Sequence, residues 1–126
     1  MARILVVDDD QDVIEIVRYT LSRDKHEMLE ALDGKEGLAR AIADRPDLII
    51  LDVMMPEMDG LTVSNHLAVT PETKNIPVII LTAKGRMRET FDSAPNVHCF
   101  MDKPFEPIVL QDKIRDILMA KRPKSA

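Results

Sequence analysis

Cysteines, long apolar runs and clustered histidines are scarce in this sequence, and each scarcity excludes a class of protein. Cys99 is the single cysteine, so the chain cannot form an internal disulfide. No apolar stretch approaches the roughly 20 residues that a membrane-spanning helix needs. A signal-peptide pattern is also lacking, because Asp8 interrupts the first apolar run. His26, His66 and His98 lie on separate predicted elements without metal-ligand spacing. We therefore expect a cytoplasmic protein without a membrane contact.

Length and charge indicate one acidic domain. The chain has 126 residues, of which 45% are hydrophobic, and a formal net charge of -5. This length fits a single core, and the acidic balance argues against direct nucleic-acid contact. We assign residues 1–120 to one domain and the basic residues 121–126 to a tail or the start of a linker.

Short apolar runs alternate with segments of helical periodicity along the chain. This alternation is typical of βαβ units and a parallel sheet. It predicts strands at residues 3–7, 26–31, 47–51, 78–81 and 97–101. Helices are predicted over 11–23, after Asp33, after Asp59 and after Pro107, with a weaker fourth helix that carries Met87, Phe91 and Ala94. The second strand alternates polar and apolar residues, so we place it at an edge.

Polar side chains follow four of these strands at their carboxyl ends. Asp8 and Asp9 follow the first strand, Asp52 the third and Thr82 the fourth, and Lys103 comes shortly after the fifth. Right-handed crossovers bring the carboxyl ends of parallel strands to one edge, where ligands bind in such sheets. We therefore expect the five side chains to meet there.

The chemistry of such a group favours phosphoryl transfer to Asp52. Three neighbouring carboxylates repel one another, and a hard divalent cation with oxygen ligands relieves that repulsion. Lys103 would add a second positive charge. A metal ion, an amine and a hydroxyl around one carboxylate suit a carboxylate nucleophile, because they neutralise charge on the transferring group.

Each of these residues also has an ordinary structural explanation. The run Asp8-Asp9-Asp10 suits a helix N-terminus, Asp52 and Thr82 could cap turns, and Lys103 could be solvated. Their joint placement after successive strands favours the shared site.

Four motifs in order make the chain resemble the receiver domain of two-component response regulators over residues 2–120. They are Ile4-Leu5-Val6-Val7-Asp8-Asp9, DLIILDVMMPEMDG at 47–60, PVIILTA at 77–83, and Lys103-Pro104-Phe105-Glu106-Pro107. Each motif is weak alone, but their order and spacing are highly specific. The resemblance implies a flavodoxin-like, doubly wound α/β fold with a five-stranded parallel sheet in the order 2-1-3-4-5 and five flanking helices.

The resemblance also implies an acceptor and a metal site. Asp52 would be the phosphoacceptor and become 4-aspartylphosphate. Mg2+ would be bound directly by Asp9 and mainly through water by Asp8, with Asp52 and the Met54 backbone carbonyl as further ligands.

Phosphate binding and switching fall to the last two strands by the same resemblance. Thr82, Lys103 and the backbone N–H of Ala83 would bind phosphoryl oxygens. Phe100 lies at the switch-aromatic position of the family, and Thr82 and Phe100 together would be the switch residues. The surface formed by the fourth helix, fifth strand and fifth helix would change on phosphorylation.

The implied partners are signalling proteins. The donor would be a histidine kinase or a histidine phosphotransfer protein, and the target a downstream effector protein or domain, with a second copy of the chain as a phosphorylation-dependent partner. The protein would promote its own phosphorylation and dephosphorylation without turning over an external substrate.

Three alternatives remain beside this interpretation. A phosphatase or phosphotransferase with an aspartyl nucleophile usually has a second Asp two residues later, where this chain has Met54. A plain interaction module would not need the complete polar set. A nucleotide-binding module lacks its glycine-rich motifs here. The chain also departs from the family pattern at Ala94-Pro95-Asn96, ahead of the fifth strand. The sequence therefore does not define the fourth helix or the surface that it would form.

Overall fold

Strands and helices alternate along the chain in the computed structural model, which describes residues 2–52, 60–83, 97–103 and 106–121. The strands are β1 Arg3–Val7, β2 Glu27–Ala31, β3 Leu48–Asp52, β4 Val78–Ala83 and β5 Val97–Lys103. The helices are α1 Gln11–Arg23, α2 Gly34–Asp44, α3 Gly60–Val69 and α4 Pro107–Lys121. Helix α4 is the predicted fifth helix, and the predicted fourth helix lies outside the described residues. None of the described helices is long and apolar enough to cross a membrane.

The five strands form one parallel sheet in the order β2-β1-β3-β4-β5. This order confirms the doubly wound fold that the sequence predicts, with β2 at an edge. Strand β2 lies on one side of β1, and β3, β4 and β5 follow on the other side, so the strand order reverses between β1 and β3. Open parallel sheets bind ligands at this reversal, beyond the carboxyl ends of the strands.

Strand β1 shows how the two faces of the sheet are covered. Its side chains alternate, with Ile4 and Val6 in a core shared with α1 and α4, and Leu5 and Val7 in a core shared with α2 and α3. The alternation follows from the two-residue period of a strand. Apolar contact on both faces explains why β1, β3 and β4 each carry a continuous apolar run, at residues 4–7, 48–51 and 78–81, rather than alternating in polarity.

Strands β4 and β5 are longer than predicted. The apolar runs predict ends at Leu81 and Met101, but the ladder continues, pairing Thr82 with Asp102 and Ala83 with Lys103. Pairing between neighbouring backbones holds these four residues in strands, and apolar periodicity within one segment cannot indicate that pairing. The sheet edge therefore includes the backbone of the predicted phosphate-binding residues.

Helix α4 is tied to the end of α1 by a bidentate ion pair. The Nε and Nη2 atoms of Arg115 lie 2.9 and 2.8 Å from the two carboxylate oxygens of Asp24, the C-cap residue of α1. Hydrogen bonding to this guanidinium lowers the pKa of Asp24. The pair joins two helices that already pack against the same apolar core on one face of the sheet.

Candidate functional site

Three carboxylates meet beyond the carboxyl ends of β1 and β3. Asp8 and Asp9 follow β1, and Asp52 is the last residue of β3. The register pairs Val7 with Leu51, which brings the next residues of the two strands level with each other. Oxygen atoms of Asp8, Asp9 and Asp52 all lie within 4.8 Å of one another. The structure thus brings together the three carboxylates that the sequence predicts to meet.

Burial makes this cluster unusual. Asp8 is 0% and Asp52 4% exposed, whereas Asp9 lies in the solvent-exposed class. Burying an ionised carboxylate is costly unless charged or hydrogen-bonding groups compensate it. Two buried carboxylates therefore lie beside a third that is exposed to solvent.

Hydrogen bonds hold Asp8 in a defined position. Its backbone N–H donates to the Ala31 carbonyl oxygen at 3.1 Å, which attaches the site to the end of β2. Its Oδ1 atom accepts the backbone N–H of Asp10 at 2.9 Å. One oxygen of the Asp8 carboxylate is therefore directed into the turn that leads to α1.

Asp10 has a different role from its two acidic neighbours. It is the N-cap residue of α1, and its Oδ1 atom accepts the backbone N–H of Asp12 at 2.9 Å. The charged-helix-end explanation of the acidic run is thus correct for Asp10, whereas Asp8 and Asp9 join the carboxylate cluster. The sequence signal is an acidic residue at the position just before a helix begins.

The predicted phosphate-binding residues lie on the neighbouring strands. Asp52 pairs with Leu81, so Thr82 is one residue and Ala83 two residues beyond that level on β4. Lys103 pairs with Ala83, and Phe100 pairs with Ile80 one step behind Asp52. The backbones of Thr82, Ala83 and Lys103 therefore lie at the same sheet edge as the carboxylates. Met54, the predicted carbonyl ligand, lies outside the described residues.

The cluster fits a hard divalent cation. All three side chains offer carboxylate oxygens, which are the ligands that Mg2+ prefers. A cation between them would offset the repulsion of three like charges and the cost of burying two of them. Among the described residues, no other group of three potential ligands comes this close together.

Comparison with known proteins assigns the chain to one family. The family model described as response regulator receiver domain matches residues 4–115. The chain is 39% identical over 117 residues to the response regulator PleD of Caulobacter vibrioides, covering 92% of this chain and 26% of PleD. It is 36% identical over 120 residues to the alkaline phosphatase synthesis transcriptional regulatory protein PhoP of Bacillus subtilis, covering 92% of this chain and 48% of PhoP. The chain therefore spans half or less of these two relatives.

Solved structures give the same result. The chemotaxis protein CheY4 of Vibrio cholerae matches with a TM-score of 0.84 and 31% identity, over 93% of this chain and 98% of that one. The signal receiver domain of a signal transduction histidine kinase from Syntrophus aciditrophicus matches with a TM-score of 0.86 and 32% identity, over 100% of this chain and 97% of that one.

Proposed function

The chain belongs to the response regulator receiver domain family, whose members are phosphorylation-activated signalling switches, and we propose that Asp52 is the residue that receives the phosphoryl group. One observation carries this proposal. Asp52 is a buried carboxylate at the sheet edge with two further carboxylates within 4.8 Å. This cluster suits a cation that offsets the charge of an incoming phosphoryl group.

In the proposed reaction, a carboxylate oxygen of Asp52 attacks the phosphorus of a phosphohistidine. The new O–P bond forms as the P–N bond breaks, and the departing imidazole nitrogen regains a proton from solvent. The product is 4-aspartylphosphate. Attack of water on the same phosphorus later releases inorganic phosphate and restores the Asp52 carboxylate.

Mg2+ is the proposed cofactor, bound directly by Asp9, mainly through water by Asp8, and by Asp52. The Met54 backbone carbonyl, outside the described residues, would complete the protein ligands. When bound, the ion neutralises charge on the phosphoryl oxygens. The chain's own groups contribute the rest: we assign the phosphoryl oxygens to the Thr82 hydroxyl, the Ala83 backbone N–H and the Lys103 amine.

The protein is a receiver domain and not a classical enzyme. We propose that it promotes its own phosphorylation and dephosphorylation and turns over no external substrate. A phosphatase with an aspartyl nucleophile is less well supported, because Met54 stands where such enzymes place their second Asp. A plain interaction module is also less well supported, since it does not require two buried carboxylates in one cluster.

Signalling would pass from Asp52 to a surface through β4 and β5. Phosphate beside Thr82 adds charge and acceptor oxygens, which would draw Thr82 toward it and leave space for Phe100 to turn inward. The surface that changes would comprise the predicted fourth helix, β5 and α4.

The proposed partners are proteins. A histidine kinase or histidine phosphotransfer protein would supply the phosphoryl group in the cytoplasm, and an effector protein or domain, or a second copy of the chain, would bind the altered surface. Residues 1–120 would form the switch, and 121–126 a tail or linker start. Nucleic acid would be contacted only by such an effector.

Hydrogen exchange with beryllofluoride, an analogue of the phosphoryl group, tests this account. With Mg2+ present, we expect slower exchange in peptides that cover the ends of β4 and β5 and the N-terminal part of α4. The Asp52→Asn variant is the control and should show no such change, since the analogue has lost its carboxylate partner.

Two outcomes would contradict the account. Protection confined to the β1–α1 turn, with β5 and α4 unchanged, would show that another surface transmits the signal. Equal protection in the wild type and in Asp52→Asn would show that Asp52 does not hold the analogue.

A further inference from the structure

We propose that Asp10 is a positioning residue for the metal-binding carboxylates, acting through the cap that it forms on α1. This inference rests on the proposed Mg2+ site and adds a residue that is not a ligand. Asp10 is adjacent to Asp9 in sequence, yet its carboxylate is not a member of the three-carboxylate cluster. Its effect on the cluster is mediated by the backbone.

The first link joins Asp10 to Asp8. The Asp10 backbone N–H donates a 2.9 Å hydrogen bond to Oδ1 of the buried Asp8 carboxylate. A bond between an amide and a carboxylate is charge-assisted and therefore directional and comparatively strong. The direction of the Asp10 N–H therefore contributes to how the Asp8 carboxylate is turned, since its Oδ1 atom accepts that N–H.

The second link joins Asp10 to α1. Its own Oδ1 accepts the Asp12 backbone N–H at 2.9 Å, and its carbonyl oxygen accepts the Ile14 N–H at 3.1 Å. These bonds hold Asp10 in an extended conformation, φ -92° and ψ 110°, between β1 and α1. The helix N-terminus has orphan N–H groups that fray when no side chain caps them. The cap therefore fixes the direction of the N–H that Asp8 accepts.

Repulsion explains why such a fixed turn is needed. Without a cation, the carboxylates of Asp8, Asp9 and Asp52 repel one another at short range. A turn free to fray would let Asp8 and Asp9 move apart, and a cation would then have to restore their arrangement on binding. Apparent affinity falls by the fraction of molecules in the competent arrangement.

The charge of Asp10 offers a rival explanation. A negative charge beside the site would attract a cation even without a cap. The two explanations differ for Asp10→Asn, whose side-chain oxygen can still accept the Asp12 N–H although the charge is gone, because Asn and Asp are comparable N-cap residues. Asp10→Ala removes both the cap and the charge.

Helix α2 provides a matched control. Asp33 is its N-cap, and the Asp33 Oδ1 atom accepts the Glu36 N–H at 2.8 Å. Asp33→Ala therefore removes one helix cap and one negative charge, as Asp10→Ala does, from a residue outside the carboxylate cluster. Any general consequence of losing a cap or a charge should appear in both variants.

The test is isothermal titration with magnesium chloride of the wild type, D10A, D10N and D33A, each checked for folding by circular dichroism and urea unfolding. We expect Mg2+ affinity about five-fold weaker in D10A, the factor that corresponds to a typical N-cap loss. D10N and D33A should bind within about two-fold of the wild type, since a cap next to the cluster is kept in one and untouched in the other.

The outcomes separate this inference from the proposed function. Wild-type affinity in D10A, or equal weakening in D10N and D10A, would overturn the positioning role while the Mg2+ site stands. Equal weakening in D33A and D10A would also overturn it. If the wild type itself shows no Mg2+ binding, the proposed function fails instead. If D10A does not fold, Asp10→Gly replaces it, because Gly at an N-cap keeps most of the helix stability but offers no acceptor for the Asp12 N–H. Weaker Mg2+ binding in Asp10→Gly than in D10N then supports the positioning role, and equal binding in the two overturns it.

Discussion

At the scale of single residues, the two ends of the sheet use buried polar groups in opposite ways. At the carboxyl end, buried Asp8 and Asp52 are gathered beside a third carboxylate, where their charge suits a cation. At the other end, His26 accepts the backbone N–H of Ala2 through Nδ1 at 3.0 Å, while its Nε2 is buried without a hydrogen-bond partner among the described residues. The carboxylate cluster attracts a cation, whereas the environment of His26 disfavours a positive charge on its imidazole.

Protonation of His26 should therefore destabilise the fold. Burial lowers the pKa of His26, with the Asp24 carboxylate opposing that shift and the N-terminal ammonium and Arg115 reinforcing it. The charge of Asp47 also favours the protonated form of the ring. Since an accepting Nδ1 carries no proton, the imidazolium would lose its bond to Ala2.

The sign of the pH dependence follows from the lowered pKa. As the pH falls, His26 of the unfolded chain takes up a proton near pH 6.5, whereas His26 of the folded chain does so only at a lower pH. Between these two pKa values the unfolded chain binds more protons, so the free energy of unfolding rises with pH there. The stability is present above about pH 6.5 and is lost as pH falls from there through the folded pKa. Urea unfolding of the wild type and His26→Asn between about pH 5 and 7.5 should show a flatter dependence in the variant. An identical slope in both proteins would refute this role.

At the scale of elements, helix ends and close packing decide where α1 and α2 lie. Asp33 caps α2, as its spacing to Glu36 predicts, and Glu36 in turn accepts the Leu32 backbone N–H at 2.9 Å. Along the helix, Gly37 lies against β1. A Cβ atom added there would stand 2.8 Å from both Val7 methyl carbons. The absence of a side chain thus permits α2 to approach the strand that leads into the site.

Gly37→Ala should destabilise the protein. An alanine improves helix propensity by about 1 kcal/mol, but overpacking a core costs about 1–3 kcal/mol. The clash should win because Val7 is buried and β-branched, and its methyl groups cannot rotate away cheaply. We expect a net loss of up to about 2 kcal/mol in urea unfolding.

The double variant is the control for this explanation. Gly37→Ala should cost less in a Val7→Ala background than in the wild type, since the clashing methyl groups are gone. Additive costs would exclude the Val7 contact as the cause, because independent sites add.

Element types follow from sequence far better than element ends do. The bounds of α1 agree with its apolar spacing, and the cap at Asp33 follows from residue type. In contrast, the last residues of β4 and β5 depend on pairing between Thr82 and Asp102, which no local pattern contains. Asp10 shows the same limit in the site, since an N-cap and a metal ligand can be the same residue type.

At the scale of the whole molecule, strand order is what assembles the site. Composition and periodicity predict a parallel sheet, but the neighbouring positions of β1 and β3 depend on long-range pairing, and only the resemblance to receiver domains predicts them. That order brings Asp8 and Asp9 beside Asp52 although more than forty positions separate them along the chain. Two apolar cores cover the opposite faces of the sheet, and the three carboxylates lie beyond the carboxyl ends of its strands.

Phosphorylation of Asp52 is the central claim, and intact-mass measurement after incubation with acetyl phosphate tests it most directly. With Mg2+ present, we predict one phosphate on the wild type and none on Asp52→Asn, because an amide cannot form the acyl phosphate. Asp33→Asn, which changes a carboxylate outside the cluster, should be labelled like the wild type. Labelling of Asp52→Asn equal to that of the wild type would contradict the account.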